Sequence, residues 1–220
     1  MSRESFIGRA EDFETHRSAS RGRLEELIRT LVARARVVDP HLHILARDMD
    51  PHEIGKQVAA LFERFPEPEA RPPLFGVPVG VKDIIRVGGA PLACGSLLPP
   101  ALFEGGEARC VRMLRDAGAV ILAQTATTEF AYFEPAATKN PHNPRHTPGG
   151  SSSGSAAGVA AGLFPLALGT QTAGSVIRPA SYCGVVGVKP SFGAIPTDGV
   201  IPFSRSVDHV GFFCRTAADI

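Results

Sequence analysis

The first clear periodicity in the chain lies at residues 23–38 (RLEELIRTLVARARVV), where Leu24, Leu27, Ile28, Leu31 and Val32 recur at helical spacing with charged positions between them. That stripe predicts an amphipathic helix. The next stretch, HLHILARD from His41, reads as a short strand. Asp50 and Pro51 then supply the cap and first turn of a helix running to about Arg64. Four prolines in residues 65–73 (FPEPEARPP) exclude regular structure and predict a linker or surface loop.

Beyond that loop, LFGVPVGVKDII has the valines and isoleucines of a buried strand ending near Lys82. EARCVRMLRDAGA, from Glu107, predicts a helix with a glycine near its end, and VILAQTAT a second buried strand. Residues 147–162 (TPGGSSSGSAAGVAAG) are dense in Gly, Ala and Ser, as a flexible linker is. The regular Ala and Val after Gly154 and the apolar LFPLALGT that follows predict instead a tight loop entering a buried helix, then a strand. Helices alternating with apolar strands predict an α/β fold, layered α/β/α around a mixed sheet. The expected division is a helical extension over residues 1–65 and a core over residues 66–220, in one domain overall.

Composition narrows the function classes. The chain of 220 residues is 44% hydrophobic and 20% charged, as a soluble globular protein is. Its 23 Lys and Arg against 22 Asp and Glu leave no excess to attract nucleic acid or an anionic membrane. The most apolar run, SAAGVAAGLFPLALG, is shorter than the ~20 residues that span a bilayer and is broken by glycines and Pro165. The charged start, MSRESFIGRAEDFETHRSASRGR, lacks the apolar core of a secretory signal. Cys94, Cys110, Cys183 and Cys214 form no C-x-x-C pair and read as reduced thiols in a cytoplasm. A small-molecule substrate is the expected partner, with a homodimer left open.

Three segments carry candidate chemistry: residues 76–83 (GVPVGVKD), 149–155 (GGSSSGS) and 169–178 (GTQTAGSVIR). The Gly/Ser turn alone could cradle a phosphate, but a Walker A loop would end in Gly-Lys-Ser/Thr where this chain has Gly154-Ser155-Ala156. A serine nucleophile needs a base for its proton. Of the seven histidines, His142 and His146 lie in the loop NPHNPRHTP and none falls in the three segments. Arginine does not give up its proton, and only Lys56, Lys82, Lys139 and Lys189 are lysines. Lys82 follows apolar Val79-Gly80-Val81, a setting that would desolvate it and lower its pKa by as much as ~3 to 5 units. Taken alone, it reads better as an ordinary strand-end lysine paired with Asp83, and Ser151 reads also as a plain helix N-cap.

Together, in order, these blocks resemble the amidase-signature family of serine hydrolases, from about Pro72 to the end of the chain. The resemblance rests on GVPVGVKDII, the run from NPHNPRHTPGGSSSGS to GVVGVKPSFG, and SVDHVGFFCRTAAD. It implies Ser175, in the T-x-G-S turn, as nucleophile, Ser151 as relay serine preceded by a cis peptide bond, and Lys82 as base. The backbone N–H groups of Thr172, Ala173, Gly174 and Ser175 would then form the oxyanion hole. No metal or organic cofactor is implied. The substrate would be a small amide, hydrolysed through an acyl-enzyme.

Two departures from the family pattern carry information. Most members have an acidic residue where this chain has Gln171, and an arginine where it has Ile177; here the arginine is Arg178. This resembles short bacterial amidases of the malonamidase type and frees a guanidinium to grip a substrate carboxylate, or else to cap a buried carbonyl or pair with an internal acid. Family members also continue well past SVDHVGFFCRTAAD, so the chain is expected to be truncated at its C-terminus relative to them. The rival readings are an inactive amidase-like remnant, the amidase subunit of a tRNA-dependent amidotransferase, and a phosphate-binding module.

Overall fold

The computed structural model describes residues 6–220; residues 1–5, part of the charged start, lie outside the described residues. The amphipathic stripe becomes α2 (Arg21–Leu42), which follows a short α1 (Phe13–Ser18). Its apolar face, including Leu24, Ile28, Leu31 and Val32, packs into a core cluster with Phe75, Val120 and Leu122. Ser20 caps it through Arg23 N–H. Helix α3 (Pro51–Arg64) starts where expected, its N-cap Asp50 accepting from His52 and Glu53 N–H.

The strand expected at HLHILARD is not formed. Helix α2 continues through Pro40 to Leu42 and stops at His43, which adopts the left-handed conformation. The Asp39 carboxylate then accepts from Ile44 N–H at 2.6 Å and Leu45 N–H at 2.9 Å, holding this segment in a turn. Only an isolated bridge, Leu45 to Thr125, joins it to the sheet. The local run had the composition of a strand; a side chain just upstream took the backbone donors a ladder needs.

The sheet contains β1 (Pro78–Lys82), β2 (Val120–Thr125), β3 (Leu166–Gln171), β4 (Val186–Val188) and β5 (His209–Cys214), in the order β2-β1-β3-β5-β4. Strand β1 is parallel to β2 and β3, and β5 is antiparallel to β3 and β4, so the sheet is mixed. Helix α4 (Arg109–Asp116) covers one face: Cys110 and Val111 pack with Val79, Val81, Ile121 and Leu168. Helix α5 (Ser153–Ala160) covers the other together with α2 and α3, and every one of its residues is buried. The result is an α/β/α sandwich. Among the described residues no helix is long and apolar enough to cross a membrane.

The Gly/Ser/Ala-rich segment is thus a packed element, and its small residues have a steric reason. A Cβ on Gly154 would fall against the main-chain atoms Ile44 O and Ala126 N, which cannot rotate away. Gly80 and Gly158 both make room for the Phe164 ring, which fills the space between β1 and α5. Gly154→Ala should therefore destabilise the chain by about 1 to 3 kcal/mol, read from urea unfolding. An unchanged midpoint would show that the helix-to-sheet spacing is looser than described.

Candidate active site

Parallel strands β1, β2 and β3 end at one edge of the sheet, and the candidate residues collect there, at the carboxyl ends of the strands. Lys82 is the last residue of β1 and is fully buried. Its Nζ donates to Ser151 Oγ at 2.6 Å and to Thr170 Oγ1 at 2.8 Å. Ser151 comes from the loop entering α5, after a cis Gly150–Ser151 peptide, and Thr170 from β3. Burial pushes the Lys82 ammonium down from its ordinary value to about 7, against the pull of the Asp208 charge, which favours the protonated form. Lys82 is not paired with Asp83, whose carboxylate accepts instead from Ala93 N–H. Nor does Ser151 cap α5; that place is held by Ser152.

Ser175 lies in the turn between β3 and α6 (Ile177–Cys183) and is almost buried. Ser152 N–H donates to its carbonyl at 3.4 Å, and Ser152 Oγ bonds both ways with the Thr170 main chain, tying this turn to the Ser151 loop. Among the hydrogen bonds of the described residues there is none between the Ser151 and Ser175 hydroxyls. Gln171 Oε1 accepts from Val176 N–H at 2.8 Å and Ile177 N–H at 3.0 Å. The preceding N–H groups, of Thr172, Ala173, Gly174 and Ser175, have no hydrogen-bond partner among the described residues. Ala173 is exposed and Thr172 and Gly174 half-buried, so these donors lie within reach of a small molecule.

Arg178 donates through Nε at 3.1 Å and Nη2 at 2.7 Å to Gly150 O, the carbonyl of the cis peptide. It therefore braces the Ser151 loop. Two further residues at this edge carried no expectation. Thr170 is the second partner of Lys82. Asp208 accepts from Thr172 Oγ1 at 2.5 Å and from Phe203 and Ser204 N–H at 2.8 Å each, so a charge that acts on Lys82 also anchors the turn holding Ser175. Both lie inside the motif blocks, in GTQT and SVDHVG, but nothing in their spacing assigns them a role. All four cysteines are buried and free, and burial raises their thiols to about 11 or 12, so none offers a thiolate nucleophile at neutral pH.

Comparison with known proteins bears on the family of the chain. The family model described as Amidase matches residues 26–220. A curated relative from Acidothermus cellulolyticus, one of the subunits of its glutamyl-tRNA(Gln) amidotransferase, is 39% identical over 203 residues, 89% of this chain and 40% of that protein. The protein of the same name from Treponema pallidum is 46% identical over 154 residues, 67% of this chain and 30% of the relative. Among solved structures, the peptide amidase of Stenotrophomonas maltophilia superposes with a TM-score of 0.81 at 36% identity, over 91% of this chain and 43% of that one. A structure described as an amidase gives a TM-score of 0.80 at 38% identity, over 94% and 48%. The chain thus spans less than half the length of each of these proteins.

With only four lysines in the sequence, Lys82 can be followed by NMR of Lys-labelled protein. Its signal should titrate near pH 7. Asp208→Asn removes the charge that favours the ammonium, so the titration should move to lower pH; a move upward, or none, would sink the coupling.

Proposed function

This chain belongs to the Amidase family, and from that premise we propose that it hydrolyses a small primary amide to a carboxylic acid and ammonia through an acyl-enzyme on Ser175. The observation that carries the reading is the buried Lys82, held to a serine hydroxyl at 2.6 Å and brought down to about 7, so that a large fraction is neutral and able to accept a proton at neutral pH.

The substrate carbonyl lies over the N–H groups of residues 172–175. Ser175 Oγ attacks the carbonyl carbon, its proton passes to Ser151 Oγ, and the Ser151 proton passes to Lys82 Nζ. The oxyanion gathers hydrogen bonds, each such donor being worth about 3 to 4 kcal/mol in a transition state. As the C–N bond breaks, the proton returns from Lys82 through Ser151 to the leaving nitrogen, and ammonia departs. Water then attacks the ester while the same relay takes its proton, releasing the acid and restoring the Ser175 hydroxyl. The Ser151 to Ser175 contact closes when substrate is bound, as catalytic hydrogen bonds commonly do. Arg178 keeps its grip on Gly150 O and offers Nη1, which has no hydrogen bond to a described residue, to a carboxylate on the substrate. Buried free thiols support a reducing, cytoplasmic setting.

A second reading, the amidase subunit of a tRNA-dependent amidotransferase, is favoured by the names of relatives at 39% and 46% identity. Gln171 and Arg178 count against it, because that subunit resembles the majority pattern. Ammonia release from glutamine only when partner subunits are present would select it.

Ammonia release should be measured from a panel of amides that includes malonamate. Ser175→Ala should abolish it, and Ser151→Ala or Lys82→Ala should each lower kcat by about 10²- to 10⁴-fold. Because the base acts when neutral, kcat/KM should fall as pH drops below about 7. A methyl at Gly174 would meet only Arg178 Cβ, at 3.9 Å, so Gly174→Ala should leave the unfolding midpoint in place while lowering kcat. Release that survives Ser175→Ala would refute this assignment.

A further inference from the structure

We propose that the cavity at the outer edge of β2 is a second binding site, and that it takes a small neutral ring with a cis amide edge, an N–H and a C=O side by side as in a lactam or a pyrimidine base. The group that recognises this edge is the side-chain amide of Gln124. The site is independent of the chemistry at Ser175.

Gln124 lies in β2 between the buried Ala123 and Thr125 and is 3% exposed. Neither its Nε2 nor its Oε1 has a hydrogen-bond partner among the described residues. A buried amide in that condition costs free energy that an apolar side chain of similar size would avoid. Gln57, which lines the same cavity, shows the contrast. Its Oε1 accepts from Ile121 N–H at 2.9 Å and from Arg115 Nη1 at 2.6 Å, and its Nε2 donates to Ile121 O at 3.0 Å. One amide closes the strand edge; the other is left for a partner from outside.

A β-bulge gives Gln124 its direction. Val79 pairs with Ile121 and Gly80 with Ala123, so Leu122 is an extra residue in β2. Leu122 and Ala123 both pack in the core on the α5 side, together with Val120, and Thr125 Oγ1 bonds Ser155 of α5 at 2.7 Å. Gln124, between Ala123 and Thr125, therefore points to the opposite face. Without the bulge, regular alternation from Val120 and Leu122 would carry it into the α5-side core. Bulges of this kind re-aim a side chain, and the one re-aimed here is the amide without a partner.

The cavity measures about 530 Å³, room for a small ring. It opens along β2 between Ile121, which Gln57 closes, and Gln124, whose main-chain O accepts from Ala46 N–H at 2.9 Å. Ile54, Val87 and Leu122 line it beside Gln124, and Gly88 and Gly89 add backbone without side chains, surroundings that suit a flat ring. Glu53 is paired with Lys56 and Arg115 with Glu107, while Arg47, Asp48 and Asp50 bring no surplus of positive charge, so nothing there selects an anion. A carboxamide holds a donor and an acceptor side by side, and its full match is a group with the reverse pair. An open-chain secondary amide is trans and turns its N–H and C=O to opposite sides; a ring amide is cis and presents both to one partner. The rotatable bonds of the Gln124 side chain let its amide turn from the wall to such a ring.

The probe is uracil, compared with 1,3-dimethyluracil, which keeps the ring and lacks the N–H, and with propanamide, which keeps an amide edge and lacks the ring. The sequence has only Gln57, Gln124 and Gln171 as glutamines, so their side-chain amide signals can be followed separately by NMR, with Gln124→Leu identifying that of Gln124. Millimolar uracil should shift the Gln124 signal and leave that of Gln171, near Ser175, in place. Gln124→Leu should weaken uracil binding, read at the Gly88 and Gly89 amides, by about tenfold or more, and should keep or raise the urea midpoint because no partner is lost. No shift at Gln124, or a shift at Gln171 in its stead, overturns the site. Equal binding of 1,3-dimethyluracil overturns the paired amide edge, and equal binding of propanamide overturns the ring. A lowered midpoint in Gln124→Leu would show that the amide already has a partner within the fold, and would overturn the assignment of Gln124.

Discussion

The structure turns on one constraint, the burial of a lysine at the end of a sheet strand where two hydroxyl groups receive it. An ammonium in such a place loses its hydration, and two neutral partners do not replace it. Lys82 therefore hovers between its two protonation states near neutrality. That poise depends on the parallel pairing of β1 with β3, which brings Thr170 alongside, and on the close approach of the loop before α5, which brings Ser151. A nearer anion would pin the charge; a wetter site would restore the ordinary lysine.

The close approach in turn depends on small residues. Helix α5 is built from Ser, Gly, Ala and a single Val, and its glycines face main-chain atoms or the Phe164 ring. The helix can lie deep in the sandwich because it has almost no side chains to accommodate. Ser155 uses its hydroxyl inside this layer, bonding Thr125 Oγ1 at 2.7 Å and Leu168 O at 2.8 Å. The serines of the GGSSSGS segment thus divide the work by position: Ser151 meets the lysine, Ser152 and Ser155 join the helix to β3, and Ser153 returns to Gly149 O.

Around the Ser175 turn, neutral and charged groups have separate tasks. Gln171 occupies the donors that begin α6, and those of residues 172–175 have no partner among the described residues. The anion near this edge is Asp208, which holds the opposite side of the turn through Thr172. Arg178 meets the neutral carbonyl of Gly150. Substitution at Gln171 and displacement of the arginine by one residue are thus parts of one local rearrangement of hydrogen bonds.

The sequence alone was sufficient for α2, α3, β1, β2, α4, β3 and the burial of the Ser151 segment, because their periodicity, caps and apolar runs are local properties. Three ordered motif blocks brought Lys82, Ser151 and Ser175 forward as candidates, and the fold sets Lys82 Nζ against Ser151 Oγ. The end of α2 was not legible, since the Asp39 carboxylate diverted a stretch whose composition suited a strand. Nor were Thr170 and Asp208. Each of these depends on which strands pair and which loops share the sheet edge, contacts across many intervening residues that no local pattern encodes. Sequence also left the partners of Arg178 open, and only the fold brings its Nε and Nη2 to Gly150 O. Chemistry carried by residue type and spacing was readable along the chain; chemistry carried by distance had to wait for the fold.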